Sequence, residues 1–169
     1  MKQAFILQGS NEGDSQRFLD LSVRDIEKHI GKIIKKSSTY ESEPWGFEAK
    51  QWFLNRVLEV ETSLEPDKIL ENLLTIESEY GRKRTDDGKF HSRTLDLDIL
   101  FVNQLIISSP KLELPHPELH RRLFTLLPLS EIAPNFQHPL FLKSISELLI
   151  ECSDSSTVRI LKNQTLENS

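Results

Sequence analysis

The sequence predicts a ferredoxin-like α+β domain: an antiparallel four-stranded core sheet with helices packed on one face, plus a C-terminal helical extension. Three observations predict it. Strand-like and helix-like segments follow in the order strand, helix, strand, strand, helix, strand, which is the split βαβ arrangement. The chain has 169 residues, 37% of them apolar, enough for one domain to bury its own core. No internal repeat or low-complexity linker divides it.

Each element has its own signal. Residues 4–7 (AFIL) are a short apolar run ending in the turn-forming Gln8-Gly9-Ser10-Asn11, as expected of a buried strand. From Asp14 the period changes, with Leu19, Val23, Ile26 and Ile30 on one helical stripe and Gly31 as the stop. Residues 33–40 read as a second strand, at an edge because of Lys35 and Lys36. Pro44 and Gly46 around Trp45 mark a loop, and a third strand spans about 52–61. Pro66 opens a second helix running to about Tyr80, with Leu70, Leu73, Leu74 and Glu77 on one face and Gly81 after it.

Residues 82–93 form a polar, basic loop, and Thr94 to Val102 a fourth strand. A Pro115-His116-Pro117 corner precedes a short helix over about 118–127. Ser144 and Glu147 form a capping box for a last small helix. Beyond Cys152 the chain turns polar, so a single domain over 1–152 with a loosely held tail at 153–169 is expected.

Composition bounds the function classes. A formal charge of −5 gives no general attraction for nucleic acid or anionic membrane. A single cysteine, Cys152, forms no internal disulfide and suits a reducing compartment. The opening MKQAFILQGSN has too short an apolar run for a leader or a membrane span, so the cytoplasm is the expected location.

The chemistry concentrates in Arg93-Thr94-Leu95-Asp96-Leu97-Asp98-Ile99. On a strand, Leu95, Leu97, Ile99 and Phe101 point one way and Asp96 and Asp98 the other, their Cα atoms about 7 Å apart. Two like charges on one face repel unless something positive sits between them. Solvated carboxylates on a wet face are one account; a clamp for Mg²⁺, which takes its other oxygens from water and substrate phosphates, is the better one. Arg82, Lys83, Arg84, Lys89, His91 and Arg93 crowd the preceding loop, and His116, Arg121 and Arg122 follow the strand. Alone such a run is a wet face, but beside a carboxylate pair it is what a triphosphate needs. Glu77 lies on an apolar helix face, where a carboxylate is costly without a partner. Trp45, Trp52, Phe53 and Phe124, with Asn55 mid-strand, would suit a flat heterocycle, though core packing uses the same aromatics. Gly9 carries no specific signal, and no Walker-type phosphate loop is present.

These residues together resemble the 6-hydroxymethyl-7,8-dihydropterin pyrophosphokinase family of folate biosynthesis. RTLDLD at 93–98 is the most specific element, supported by QGSN at 8–11, FLNRV at 53–57, IE at 76–77, LPHP at 114–117 and PLSEIAP at 128–134. The resemblance implies two Mg²⁺ ions on Asp96 and Asp98, and ATP as co-substrate. It implies phosphate and nucleotide contacts from Arg82, Arg84, Arg93, His116 and Arg122, with Glu77, Ile99 and Lys111 also at the ATP site. It assigns Phe53, Asn55 and Phe124 to the pterin pocket, with Ser42, Glu43 and Trp45 completing recognition of the ring edge. Arg82, Arg84, Arg93, Asp96 and Asp98 then form the catalytic group. The implied reaction is attack of the pterin hydroxyl on the β-phosphorus of ATP with release of AMP, by a monomer. Departures from the family pattern include Leu74, Glu43, Phe53, Phe90-His91 and Lys111.

Rival functions remain at this stage. A γ-phosphoryl kinase or a nucleotidyltransferase would use the same carboxylates but yield ADP or pyrophosphate. A non-catalytic nucleotide- or metal-sensing module would bind without turnover. RNA binding on the sheet is disfavoured by two aspartates on its exposed face.

Overall fold

The computed structural model describes residues 1–44, 51–81 and 94–162. In chain order the elements are β1 (Lys2–Ser10), α1 (Ser15–His29), β2 (Lys32–Lys36), β3 (Tyr40–Ser42), β4 (Phe53–Thr62) and α2 (Pro66–Glu79). There follow β5 (Asp96–Val102), β6 (Ile107–Ser108), β7 (Glu113–Leu114), a 3₁₀ turn at Leu119–Arg121, α3 (Leu123–Ile132), α4 (Ile145–Glu151) and β8 (Val158–Ile160). The main sheet is six-stranded, in the order β5-β1-β4-β3-β8, with β2 also on β4. Its described pairings are all antiparallel, and β6 pairs β7 in a separate hairpin. The predicted α+β class with an antiparallel core is therefore what the chain adopts.

β1 lies inside the sheet because the run Ala4–Leu7 can be buried from both sides. Ala4 and Ile6 join Leu58, Val60, Leu97 and Ile99 under α1 and α2, whose Leu19, Ile26, Ile69, Leu73 and Ile76 complete one core. Phe5 and Leu7 join Val57, Leu100 and Phe101 on the opposite face, under Leu126 and Leu129 of α3 and Ile145 and Leu148 of α4. Helices thus cover both faces, not one as expected. The second layer comes from a hydrophobic stretch with no clean helical stripe: α3 is apolar along most of its length and carries Pro128 inside it. The proline, which lacks the N–H that would bond back one turn, hid the second half of that helix from the periodicity.

Three further differences have physical causes. The predicted strand at 33–40 is two strands, β2 and β3, lying end to end along β4. At the break, Ser37 N donates to Val57 O at 2.9 Å and Val57 N donates to Ser37 Oγ at 2.9 Å, so a side chain replaces one rung of the ladder. Glu131 of α3 holds the same break, accepting from Ser38 N and from the Tyr40 hydroxyl. Burial and that carboxylate push the Tyr40 hydroxyl up to about 12.

The register of β5 against β1 shifts between Phe5 and Ile6: Phe5 faces Phe101, but Ile6 faces Ile99. This bulge turns Phe101 away from Leu97 and Ile99 and into the second core beside Phe5, with ring centroids 6.2 Å apart. Finally, the expected loose tail contains β8, and Leu161 N donates to Thr39 O at 2.8 Å, so the folded unit extends past residue 152.

The helices end as their sequences require. Asp14 caps α1, its carboxylate accepting from Arg17 N at 3.3 Å. Gly31 follows because a Cβ there would sit 2.1 Å from Glu61 O, which no side chain permits. On α2 the buried stripe is Ile69, Leu73, Ile76 and Glu77, one step round from the expected face. At α4 the serine half of the capping box forms, Glu147 N donating to Ser144 Oγ at 3.1 Å, while the Glu147 carboxylate accepts from the Ser144 hydroxyl.

Candidate active site

Strand pairing aligns the polar residues into a row. Residues directly opposite on neighbouring strands share a sheet face. Asp96 on β5 stands opposite Gly9 on β1, Gly9 opposite Asn55 on β4, and Asn55 opposite Tyr40 on β3. Two residues further along β5, Asp98 faces Leu7. Two residues earlier on β4, Phe53 faces Ser42 of β3. Asp96, Asp98, Asn55, Ser42 and Phe53 are therefore on one face, with Leu97 and Ile99 buried on the other. The sequence-level alternation of the two aspartates holds, and both carboxylates are half-buried.

Gly9 is the residue that sequence reasoning passed over. A Cβ built there would lie 3.6 Å from Asn55 Oδ1 and 4.0 Å from Asp96 Cβ. The missing side chain leaves a bare backbone floor between a carboxylate and an amide. The sequence marks it only as part of the QGSN motif at 8–11, because its reason is the cross-strand register. Asn55 is buried, with its Nδ2 3.4 Å from the buried Ser42 Oγ. The amide is thereby oriented towards β3 on one side while its oxygen faces the floor at Gly9.

Donors come from the segment after β5. His116 N donates to Leu100 O at 3.0 Å, which ties the Pro-His-Pro corner to the bulge. Its Nδ1 accepts from Glu118 N at 3.1 Å. Desolvation and the nearby Arg122 charge lower its pKa to about 4, against opposing pulls from Asp96 and Glu118. His116 is therefore neutral at physiological pH, and with Nδ1 accepting, its proton is on Nε2. It can donate a hydrogen bond to an anion without adding charge. Arg122 lies with its guanidinium carbon 5.6 Å from the centroid of the Phe124 ring, so a cation and a flat apolar surface meet at the start of α3.

Other expected residues sit differently. Glu77 is 1% exposed and its Oε2 accepts from Leu97 N at 2.7 Å, so it braces β5 between the two aspartates. Ile99 has its side chain in the α1–α2 core, leaving its backbone on the outer edge of the sheet's last strand. Lys111 is exposed in the turn of the β6–β7 hairpin. Glu43 is occupied by the C-terminal segment: its Oε1 accepts from Thr157 N at 2.9 Å, and its own N donates to Thr157 O at 3.3 Å. Trp45, Arg82, Arg84 and Arg93 lie outside the described residues.

Among the described residues no group of three or more His, Cys, Asp or Glu side chains gathers as a metal cage. The aspartate pair with a bare floor beside it fits a cation of the Mg²⁺ kind, which is held by one or two carboxylates and completes its shell with water and substrate oxygens. No described helix is long and apolar enough to cross a membrane.

The same fold occurs in solved structures of HPPK-DHPS proteins. The wild-type Plasmodium falciparum HPPK-DHPS matches 89% of this chain with a TM-score of 0.73 at 17% identity. An HPPK-DHPS in complex with substrates also gives 0.73 at 17%. This chain spans 44% and 43% of those two proteins, less than half of either. These likenesses define the class, an α+β domain of shared architecture.

The sequence defines the family. The model of the 7,8-dihydro-6-hydroxymethylpterin-pyrophosphokinase (HPPK) family matches residues 5–134, and the chain belongs to that family. It is 38% identical over 141 residues to the 2-amino-4-hydroxy-6-hydroxymethyldihydropteridine pyrophosphokinase of Porphyromonas gingivalis, covering 82% of this chain and 95% of that one. To the Bacillus subtilis enzyme of the same name it is 42% identical over 130 residues, covering 76% and 77%. Membership makes the chain a pyrophosphokinase.

Proposed function

We propose that this chain transfers the pyrophosphoryl group of ATP to the hydroxymethyl oxygen of 6-hydroxymethyl-7,8-dihydropterin in one in-line displacement. The oxygen–β-phosphorus bond forms, the bond from β-phosphorus to the α-phosphate oxygen breaks, and AMP leaves. The observation that carries this reading is the row Asp96–Gly9–Asn55, which sets a carboxylate and an amide on either side of a bare backbone floor. Asn55 and Ser42 offer donors and acceptors to the amide-like edge of a planar ring, with Phe53 and Phe124 as flat surfaces. Asp96 and Asp98 would hold two Mg²⁺ ions, which when bound neutralise phosphate oxygens and lower the pKa of the attacking hydroxyl. His116 donates its Nε2–H to the nucleotide phosphates, and Arg122 adds a cation beside them. Arg82, Arg84 and Arg93, from the segment before β5, would complete the charge neutralisation. The protein acts in the cytoplasm as a monomer.

Purified protein with ATP, MgCl₂ and the pterin should yield AMP one for one with pterin diphosphate by liquid chromatography with mass detection. ADP or free pyrophosphate as product would overturn the pyrophosphoryl assignment. Binding of both ligands without product would replace the enzyme by a sensing module.

Gly9→Ala tests the floor. The added methyl meets its neighbours at ordinary contact distance, so folding stability should change by less than about 0.5 kcal/mol. The methyl fills the gap beside Asn55, and affinity for the pterin should drop about tenfold by calorimetric titration. Unchanged affinity would remove Gly9 from the site.

A further inference from the structure

The segment Asp154–Ile160 is tied at both ends to the elements that carry the pocket walls. Asp154 Oδ2 accepts from Leu123 N at 2.9 Å, and its Oδ1 accepts from Ser156 N at 2.9 Å. Leu123 is the first residue of α3 and precedes Phe124; Arg122 gives that helix no side-chain cap. Asp154 therefore supplies the cap from thirty-one residues away in sequence. Against the upward push of burial, hydrogen bonds from Ser156 and from Leu123 N hold its carboxyl below the usual range.

The other end grips β3. Thr157 exchanges hydrogen bonds with Glu43, through the Glu43 backbone N–H and carboxylate. β8 then pairs Val158 with Ser42, Arg159 with Glu41 and Ile160 with Tyr40. On its other side, the same three residues of β3 pair with Phe53, Leu54 and Asn55 of β4. Arg159 reaches across: it forms an ion pair with Glu41, and its guanidinium carbon lies 4.9 Å from the Trp52 ring centroid. Trp52 is adjacent to Phe53, and Glu41 to Ser42. Without β8, the three-residue β3 would be a bare edge strand.

We infer that residues 154–160 are a brace that fixes the spacing between the two walls of the pterin pocket, with Asp154 and Arg159 as its positioning residues. One end sets the start of α3 and hence Phe124; the other sets Ser42, Phe53 and Asn55. This inference rests on the pterin pocket proposed above. The Arg159–Glu41 pair is solvent-exposed and weak alone, so the two anchors act together and the test removes both.

The test is the double variant Asp154→Ala/Arg159→Ala, compared with wild type and with Asp154→Asn/Arg159→Lys. In steady-state assays the alanine pair should raise KM for the pterin roughly tenfold while KM for ATP stays within about twofold. Asp154→Asn/Arg159→Lys keeps an acceptor and a charge and should recover part of the loss. Amide exchange at Glu43 and Leu123 should accelerate at least about tenfold in the alanine pair. An unchanged pterin KM, or both constants rising together, overturns the brace. If wild type neither binds nor turns over the pterin, the reading under Proposed function falls first. Exchange then decides only whether residues 154–160 hold β3 and the start of α3: protection lost at both amides together supports that hold, and protection retained at either overturns it.

Discussion

Replacing Asp98 by alanine should slow turnover by at least roughly a thousandfold, equivalent to about 4 kcal/mol of lost transition-state stabilisation. The fold should survive. Asp98 is half-buried and faces Leu7 across the strand pair, with its neighbours Leu97 and Ile99 holding β5 in the opposite core. Under the proposed function, a substitution at this position removes an oxygen ligand for the cation and leaves the packing of Leu97 and Ile99 in place. Asp98→Asn keeps the volume and one oxygen but drops the charge, and should lose nearly as much. Initial rates at saturating ATP and pterin, with circular dichroism and thermal melts on the same samples, separate the two effects. Turnover within tenfold of wild type in either variant would remove Asp98 from the group that holds the cation.

The aspartates were legible because strand alternation is local: two carboxylates two residues apart share a face whatever the sheet around them. Phe53 and Asn55 were suggested by residue type, Ser42 was added by family resemblance, and it is the pairing of β3 with β4 that brings them alongside Asp96. Gly9 could not be read that way. Its function is an absence between two side chains from other strands, and only the register of β1 against both neighbours reveals it. Glu43 shows the opposite case, where a loop position assigned to the pterin is held by the backbone of Thr157.

The two long helices were legible for the same local reason, since fifteen and fourteen residues carry several turns of period. The features that went unread are those decided by distant partners. The break between β2 and β3 depends on a serine hydroxyl accepting from Val57 N. The inversion of Phe101 depends on one extra residue opposite β1. β8 is three residues long and polar around its centre, and it is a strand because β3 offers an edge to pair with. The second helical layer covers Phe5 and Phe101, each worth roughly 1.5–3 kcal/mol of burial, on a face that would otherwise leave them in water.

Glu77 should prove to be where fold and chemistry meet. Glu77 is 1% exposed, and its carboxylate accepts from Leu97 N, the one backbone donor between Asp96 and Asp98. β5 is the last strand of the sheet, so that N–H points outward, and α2 supplies the acceptor a further strand would have given. Glu77→Ala leaves this donor unpaired beside a new cavity, at a cost of about 2–4 kcal/mol in stability. Turnover should drop as well, by roughly tenfold or more, because the aspartates sit on either side of the released peptide. Glu77→Gln retains an oxygen acceptor at nearly the same volume and should recover most of the stability. Denaturant midpoints and kcat measured on both variants make the comparison. If Glu77→Ala leaves the midpoint where it was, the hydrogen bond to Leu97 does not hold the strand. If it lowers the midpoint but leaves kcat untouched, the start of β5 is held well enough by β1 alone, and Glu77 belongs to the core and not to the site.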